Sequence, residues 1–240
     1  MEVEVPVHQQ LSAAVGARRG TAAADRLCQA CVELFDVDAA AISLIFDGAN
    51  TGTLGASSAP ARLYDELQFI LGEGPCLDSV ASRGPVLVPD LTDLADLRWP
   101  AYAPAMLAHR IGSVFAMPVV LAGEYVGALD LYRARPSTLK PQDLTGALIA
   151  AELAQMPLLD LLAQDLHAAI ETGDGDAWAE LNALTRVEVS QATGMLIDQL
   201  DVDAADALVR LRAYAYAANR SATDVARDIL HHGLRLDIEP

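Results

Sequence analysis

The C-terminal quarter of the sequence carries three amphipathic helix patterns in close succession, between Ala177 and Leu230. In the first pattern, which runs to about Leu200, the residues on one face are Val189, Ala192, Leu196 and Leu200. The second begins after Asp201-Val202-Asp203, whose carboxylates suit a helix N-terminus, and its apolar residues are Ala204, Leu208, Leu211, Ala215 and Ala218. The third begins at Ser221, which is spaced to exchange capping bonds with Asp224, and it continues through Val225, Ala226, Ile229 and Leu230. Three short segments with one apolar face each predict a compact three-helix unit.

The second of these helices also has a polar and aromatic face. Arg212, Tyr216 and Asn219 stand at i, i+4 and i+7, so the pattern places them on one face beside the apolar stripe. A guanidinium, a phenol and an amide suit the recognition of unpaired loop bases. Proteins stack such bases on aromatic rings or arginine guanidinium planes and form hydrogen bonds with the base edges. The alternative interpretation is that Tyr214 and Tyr216 pack in a core or a dimer, and that the arginines are ordinary solvated charges.

The turn before the third helix adds a candidate phosphate site. Arg220, Ser221 and Thr223 lie there, where backbone N–H groups and the positive end of a helix dipole favour an anion. The local charge opposes general attraction to nucleic acid, because six arginines and no lysine face eleven acidic residues from Asp176 to the C-terminus. An RNA-binding domain of this charge is expected to use a few positioned contacts, with a shallow dependence on salt.

The order and spacing of these residues resemble the ANTAR family, the RNA-binding output domain of bacterial antitermination regulators. The residues that carry the resemblance are Ala192, Gly194, Leu196, the segment Asp201–Asp206, Leu211-Arg212, Asn219-Arg220 and Val225-Ala226. In the first helix, the candidate RNA-binding residues are Gln191, Thr193 and Gly194. Many family members have a basic residue where this chain has Thr193, so one phosphate contact of the family is expected to be missing.

Composition limits the class of the whole chain. With 240 residues, 52% of them hydrophobic, the chain is long enough for one large or two modest domains with buried cores. A net charge of -17 opposes general attraction to membranes or nucleic acid. No apolar run is expected to span a membrane, and the acidic start Met1–Glu4 has the wrong sign for a signal peptide. A cytoplasmic protein is predicted.

Between Thr21 and about Arg135, helix and strand patterns alternate. The predicted strands are Ala39–Phe46 with Thr51–Ser57 as one hairpin, Gly112–Val120 with Glu124–Tyr132 as another, and a short extended piece over Pro85–Val88. Helices are predicted around Ala24–Phe35, over Ala61–Leu71 and over Trp99–His109. This mixture predicts an α+β domain with a mixed antiparallel sheet flanked by helices.

Two stretches of this half, Gly72–Leu91 and Arg98–Tyr132, resemble a GAF domain, a sensory fold related to PAS domains. The resemblance implies a sheet of about six strands, with a small-molecule pocket between the sheet and the helices on one side. GAF domains bind cyclic nucleotides, tetrapyrroles, haem or other ligands. The fold alone therefore leaves the cofactor unknown.

The three cysteines do not predict a disulfide framework or a metal site. Cys28 and Cys31 lie on an apolar helical stripe and are predicted to be small buried side chains. Cys76 follows a Gly-Pro turn that starts a helix, where the dipole would lower the pKa of a thiol. One GAF branch reduces free methionine sulfoxide with cysteines, but that chemistry needs a resolving thiol. The simpler interpretation of Cys76 is a small residue in a tight turn, and the chain is not predicted to be an enzyme.

The segment 141–175 is predicted to connect the two halves. Its helical pattern, Pro141–Ile170, contains Pro157, which either kinks the helix or begins a new one. Apolar residues at near-heptad spacing indicate packing against another helix, within the chain or from a second subunit. Glu171–Asp176 is a polar, glycine-bearing linker. The predicted domains are a GAF-like sensor over 1–140, the connector and linker over 141–175, and an ANTAR-like domain over 176–240.

Together these features predict a homodimeric cytoplasmic regulator, in which a sensor with a small-molecule ligand controls binding of structured RNA. By resemblance, such binding would stabilise antiterminator stem-loops in a nascent transcript. Two alternatives stay open. In the first, the second and third helices form a helix-turn-helix that binds duplex DNA, with Thr223 and Arg227 on the recognition helix. In the second, the C-terminal helices bind only protein. An oxidoreductase acting through Cys76 is a further hypothesis, which a Cys76→Ser variant with full biological activity would remove.

Overall fold

The computed structural model describes residues 5–46, 48–93, 98–171 and 186–236. The chain divides into two compact units, with the division between Leu181 and Asn182. Residues 172–185 lie outside the described residues, and they include most of the predicted linker and the start of the C-terminal pattern. Each unit is therefore described by itself.

The first unit is built from helices and one antiparallel sheet. Its described helices are α1 (Val7–Val15), α2 (Gly20–Leu34), α3 (Ala59–Leu71), α4 (Pro75–Ser82), α5 (Tyr102–Ala108), α6 (Pro141–Leu153) and α7 (Gln155–Glu171). Its strands are β1 (Ala39–Phe46), β2 (Ala49–Ala56), β3 (Val86–Val88), β4 (Ser113–Leu121) and β5 (Glu124–Arg133). The strand order is β2-β1-β5-β4-β3. The predicted α+β class is confirmed, with five strands in the described residues rather than about six.

Both predicted hairpins form. β1 pairs with β2, and β4 pairs with β5 through a two-residue turn in which Leu121 faces Glu124. The turn residues Ala122 and Gly123 have φ values of 52° and 88°, and two positive φ values in succession are what a tight hairpin requires. Because β5 lies between β1 and β4, its residues occupy the middle of the sheet.

One face of the sheet is covered by α3, α4 and α5. Tyr132 of β5 and Ala41 of β1 pack in one apolar cluster with Tyr102 of α5 and Ala61 of α3. Successive side chains of a strand point to opposite faces, so Asp130 lies on the same face of β5 as Tyr132. This polar residue is therefore directed from the middle of the sheet towards the helices.

The helices α6 and α7 follow each other with a break at Ala154. Pro157 lies in the first turn of α7, so it begins a new helix rather than kinking a continuous one. The stretch Pro141–Ala163 is long and apolar enough to cross a membrane by length and composition, which the sequence analysis did not anticipate. Of its most apolar window, 44% is buried inside the protein, and the stretch packs on α2, β4 and β5. This makes it weak evidence for a membrane span.

The second unit contains three described helices, α8 (Val187–Leu200), α9 (Ala204–Ala217) and α10 (Ala222–His231), and each packs on the other two. Their buried residues are Val189, Ala192, Leu196 and Leu200 in α8, Ala207, Leu211 and Ala215 in α9, and Ala222, Val225, Ala226 and Ile229 in α10. The predicted three-helix unit is confirmed. Ala204 and Ala218, which the pattern assigned to the core, are exposed because they lie at the ends of α9.

Candidate functional site

The predicted RNA-binding residues of the second and third helices lie along α9 and at the start of α10, and we call Arg212, Tyr216, Asn219, Arg220, Ser221 and Thr223 the α9–α10 surface. Tyr216 is 50% exposed, and Arg212, one helical turn earlier, is half-buried. Tyr214 is 38% exposed. Neither tyrosine belongs to the core of this unit, so the interpretation of both as internal packing residues is wrong.

The sequence predicted that Asn219 continues the helix face formed by Arg212 and Tyr216. In the structure it does not. α9 ends at Ala217, and Asn219 follows with a φ of 51°, in the left-handed region. Its N–H donates to the carbonyl of Tyr216 at 3.1 Å, and the Arg220 N–H donates to the carbonyl of Ala215 at 2.9 Å. These bonds satisfy carbonyls at the helix end, so Asn219 first of all terminates α9.

Asn219→Ala is expected to destabilise the second unit by about 1 kcal/mol, whereas Asn219→Gly should be neutral or slightly stabilising. The reason is that alanine is strained at a φ of 51° and glycine is not. Hydrogen exchange of the α8–α10 amides in the full-length chain measures the difference. Equal protection in both variants would show that the left-handed conformation does not limit the stability of this turn.

At the start of α10, Ser221 has a structural role. Its hydroxyl accepts a bond from the Asp224 N–H at 3.0 Å, which is half of the predicted reciprocal cap. The Asp224 carboxylate lies instead 3.4 Å from Arg227. Arg220 is also engaged, because its Nη2 lies 2.7 Å from Asp228 Oδ2. Hydrogen bonds from His232 and then Arg220 lower the pKa of the Asp228 carboxyl.

The three candidate residues of the first helix lie on α8. Gln191 and Gly194 are exposed, while Thr193 is half-buried and its hydroxyl donates to the carbonyl of Val189 at 2.7 Å. A Cβ added at Gly194 would meet nothing within 4 Å. Packing within this chain therefore does not require glycine at that position.

Arg227, which the helix-turn-helix alternative needs on its recognition helix, is held by two carboxylates. Its guanidinium lies 3.2 Å from Glu188 and 3.4 Å from Asp224. A phosphate or a base edge would have to replace these partners. Arg220 is paired in the same way, so these ion pairs do not distinguish the duplex-DNA alternative from RNA binding.

The first unit contains a second candidate site, which the sequence did not predict. Six side chains form what we call the buried polar cluster: Ser43, Asn50, Asp65, Gln68, Cys76 and Asp130, all at most 2% exposed. They come from β1, β2, α3, α4 and β5 and lie between the sheet and the helices. This is the region where the GAF resemblance implies a pocket.

The two carboxyl groups of the cluster face each other across Ser43. The Ser43 hydroxyl lies 2.5 Å from Asp65 Oδ1 and 3.2 Å from Asp130 Oδ2. Asp65 also accepts from the Asn50 amide at 2.8 Å and from the Thr53 hydroxyl. The donors described for both carboxyls are neutral hydroxyls and amides.

Gln68 joins Asp130 to the start of α4. Its Nε2 donates to Asp130 Oδ2 at 2.7 Å, and its Oε1 accepts from the Cys76 N–H at 2.9 Å. One amide side chain thereby holds both a central strand of the sheet and a helix N-terminus. The Tyr132 hydroxyl, 3.4 Å from the same Asp130 oxygen, adds a weaker contact.

In buffer containing EDTA, the stability of the first unit is expected to fall by a few kcal/mol as the pH rises from about 5 to 8. Burial, and then the charge of Asp65, raise the pKa of Asp130 to about 8, against about 3.9 in an unfolded chain. The native state thus keeps a proton that the unfolded state releases. The stabilisation by this proton is complete below the pKa that Asp130 has in the unfolded chain. It is lost as the pH rises through the pKa that Asp130 has in the native state.

The isosteric Asp130→Asn variant stays neutral at every pH, so its stability should change much less over the same range. Urea unfolding at a series of pH values measures both proteins. If the free energy of unfolding of the wild type rises by about 1 kcal/mol or more between pH 5 and pH 8, this assignment is contradicted.

Cys76 is fully buried in the first turn of α4, and the expectation of a dipole-lowered pKa is wrong. Burial, followed by the charges of Asp130 and Asp65, raises the pKa of this thiol well above its usual value. Cys28 and Cys31 are also free and buried, as predicted, and burial raises the pKa of both. None of the three is an exposed, reactive thiol.

Comparisons with known proteins agree with both resemblances. A family model described as GAF domain matches residues 21–156, and one described as ANTAR domain matches residues 180–230. No curated protein matches the chain.

Several solved structures are similar to the first unit. The GAF domain of a phosphoenolpyruvate-protein phosphotransferase from Coxiella burnetii has a TM-score of 0.52 and 13% identity, over 68% of this chain and 95% of that one. The corresponding GAF domain from Acinetobacter has a TM-score of 0.49 and 12% identity, over 67% and 94%. A type II free methionine-R-sulfoxide reductase from Thermoplasma acidophilum has a TM-score of 0.41 and 15% identity, over 62% and 92%. Structural similarity at such low sequence identity indicates the fold and carries no information about function.

Proposed function

Because the chain belongs to the GAF domain family and carries an ANTAR domain after it, we propose that it is a regulator whose sensor controls the binding of stem-loop RNA. Both domains are regulatory rather than catalytic. In general terms, the GAF domain is a sensor that regulates the ANTAR output domain. The finer proposal is that the ANTAR domain binds nascent transcripts and stabilises an antiterminator.

The observation that supports RNA binding best is the exposed tyrosine beside an arginine on α9. Tyr216 leaves half of its surface to solvent, in a unit whose core is made of aliphatic residues. Arg212 lies one turn away on the same helix. Unpaired bases stack on such rings and on guanidinium planes, and each stacked base contributes about 1–3 kcal/mol.

The charges of the unit favour a few positioned contacts over diffuse attraction. Arg220 and Arg227 are ion-paired with carboxylates of the same unit, so a bound phosphate would have to displace those partners. Counterion release is then a small part of the binding free energy, and the dependence of affinity on salt should be shallow. The shape of the RNA loop and the stacking of its bases would supply the rest of the binding free energy.

The proposal includes a cytoplasmic homodimer, in which two output domains bind two adjacent loops and gain affinity through their effective concentration. Exposed apolar side chains on α6 and α7 support a helical dimer contact: Leu148, Met156, Leu159 and Leu162. The input would be a ligand, a redox event or a protein rather than phosphorylation, since a GAF domain stands where other ANTAR regulators carry a phosphoryl receiver.

Crosslinking in cells, followed by sequencing of the attached nucleic acid, tests the proposed function. Recovery of RNA segments that fold into stem-loops supports it, and a Tyr216→Ala variant at equal abundance should recover fewer of them. Recovery of duplex DNA would favour the helix-turn-helix alternative. Recovery of neither would favour an output that binds only protein.

A further inference from the structure

The buried polar cluster brings three metal-ligating side chains together. One carboxylate oxygen each from Asp65 and Asp130 and the sulfur of Cys76 all lie within 4.8 Å of one another. All three residues are fully buried, and they come from α3, β5 and α4. Because each ligand belongs to a different packed element, the fold holds all three near one point.

Two polar atoms beside this point have no hydrogen-bond partner in the described structure. They are Asp130 Oδ1 and the Tyr102 hydroxyl, and both residues are fully buried. Tyr102 packs in the same apolar cluster as Tyr132, whose hydroxyl lies 3.4 Å from Asp130 Oδ2. A buried polar atom without a partner costs about 1–3 kcal/mol. Asp130 Oδ1 is unsatisfied whether the carboxyl is ionised or protonated, which indicates that a further group completes the cluster.

The surrounding side chains orient the three ligands as outer partners of a metal site do. Asp65 is fixed by Ser43, Asn50 and Thr53. Gln68 fixes Asp130 through Oδ2, and Oδ1 has no hydrogen-bond partner in the described structure. The Asn50 amide also lies 4.0 Å from the Cys76 sulfur, within range to donate to it.

We infer that Asp65, Cys76 and Asp130 bind one divalent transition-metal ion, with Zn²⁺ as the best fit. A thiolate in the donor set favours Zn²⁺ over Mg²⁺ or Ca²⁺, which prefer oxygen alone. Ligands about 2.0–2.3 Å from a tetrahedral Zn²⁺ lie roughly 3.3–3.8 Å apart, so the side chains need to move inward by about 1 Å or less.

The ion would offset two of the three negative charges of the Asp65 and Asp130 carboxylates and the Cys76 thiolate, and it would give the unpartnered Asp130 oxygen a ligand role. Binding of the sulfur as a thiolate and of Asp130 as a carboxylate releases two protons to solvent, one from the thiol and one from the carboxyl. Three protein ligands leave one tetrahedral position for water or another donor, beside Tyr102. This site is independent of RNA binding by the second unit.

The test uses the full-length chain, purified from cells grown with added Zn²⁺ and dialysed against metal-free buffer. Elemental mass spectrometry should find about one Zn²⁺ per chain. Growth with Co²⁺ instead should give a thiolate-to-cobalt charge-transfer band in the near ultraviolet. Cys76→Ala and Asp130→Asn should each lose most of the metal and the band. Cys28→Ala, which removes an equally buried thiol outside the cluster, should keep both.

Metal content far below one ion per chain, or content that Cys76→Ala and Asp130→Asn leave unchanged, would overturn the inference and indicate adventitious metal only. Where Cys76→Ala does not fold, the isosteric Asp130→Asn variant alone decides, because it removes a charged ligand with little change in shape. RNA binding is not measured in this experiment, so its outcome is separate from that of the proposed function.

Discussion

Replacing Tyr216 with alanine is expected to weaken binding of hairpin RNA by about tenfold or more, while the second unit stays folded. The side chain is half exposed and contributes little to the core of α8–α10, so its removal mainly deletes a stacking surface. Arg212→Ala is expected to act in the same direction, because a guanidinium plane is lost from the same face. The measurement is the affinity of the full-length chain for RNA hairpins with randomised loops, with thermal unfolding recorded for each variant.

Tyr214→Ala is the matched control. It removes the same side chain from the same helix, but two residues away, so that the ring projects about 200° around the helix. RNA affinity should change much less than in Tyr216→Ala. Equal losses in both variants, or no loss with Tyr216→Ala and Arg212→Ala, would show that the RNA-binding face is wrongly assigned.

Gly74→Ala is expected to destabilise the GAF domain by about 3 kcal/mol, and so to lower its Tm by roughly 6–12 °C. Gly74 has a φ of 145°, and a Cβ there would lie 2.4 Å from Gln68 Oε1 and 2.8 Å from Gln68 Cγ. Gln68 cannot withdraw without giving up its bonds to Asp130 and to the Cys76 N–H. The substitution therefore combines backbone strain with the loss of a buried bridge. Unfolding followed by the fluorescence of the buried Trp99 measures the effect.

Gly84→Ala is the control for this experiment, because a Cβ at Gly84 meets nothing within 4 Å. Its stability should stay within about 0.5 kcal/mol of the wild type. If Gly74→Ala unfolds at the same temperature as Gly84→Ala, the contact between Gly74 and Gln68 does not constrain the domain.

The helices and hairpins could be predicted because each has a local signal. Ala122-Gly123 between two apolar runs predicts a tight hairpin, and the apolar period of α8 predicts all four of its buried residues. The left-handed conformation of Asn219 could not be predicted in the same way. Nothing in the helical spacing of Tyr216 and Asn219 shows that the chain turns left-handed between them, because helix termination depends on backbone conformation as well as on side-chain period.

The buried polar cluster could not be predicted, because each member is one polar residue within an otherwise apolar pattern. Asp130 alternates with Leu129 and Leu131, and such alternation usually marks a residue that faces solvent. Only the packing of α3 and α4 on the sheet turns this face inward. The alternative of an acidic Cys76 was wrong for the same reason. A helix dipole is a local property, but burial beside Asp65 and Asp130 depends on the whole fold.

The central claim is that the second unit recognises looped RNA, and the most direct test is a comparison of two ligands at matched salt. The full-length chain is titrated with a pool of RNA hairpins with randomised loops and with duplex DNA of the same length. We predict clear preference for RNA and an affinity for the selected hairpins that changes little with salt, because stacking on the α9–α10 surface replaces charge neutralisation. Equal or tighter binding of duplex DNA, or no binding of any hairpin, would contradict the claim.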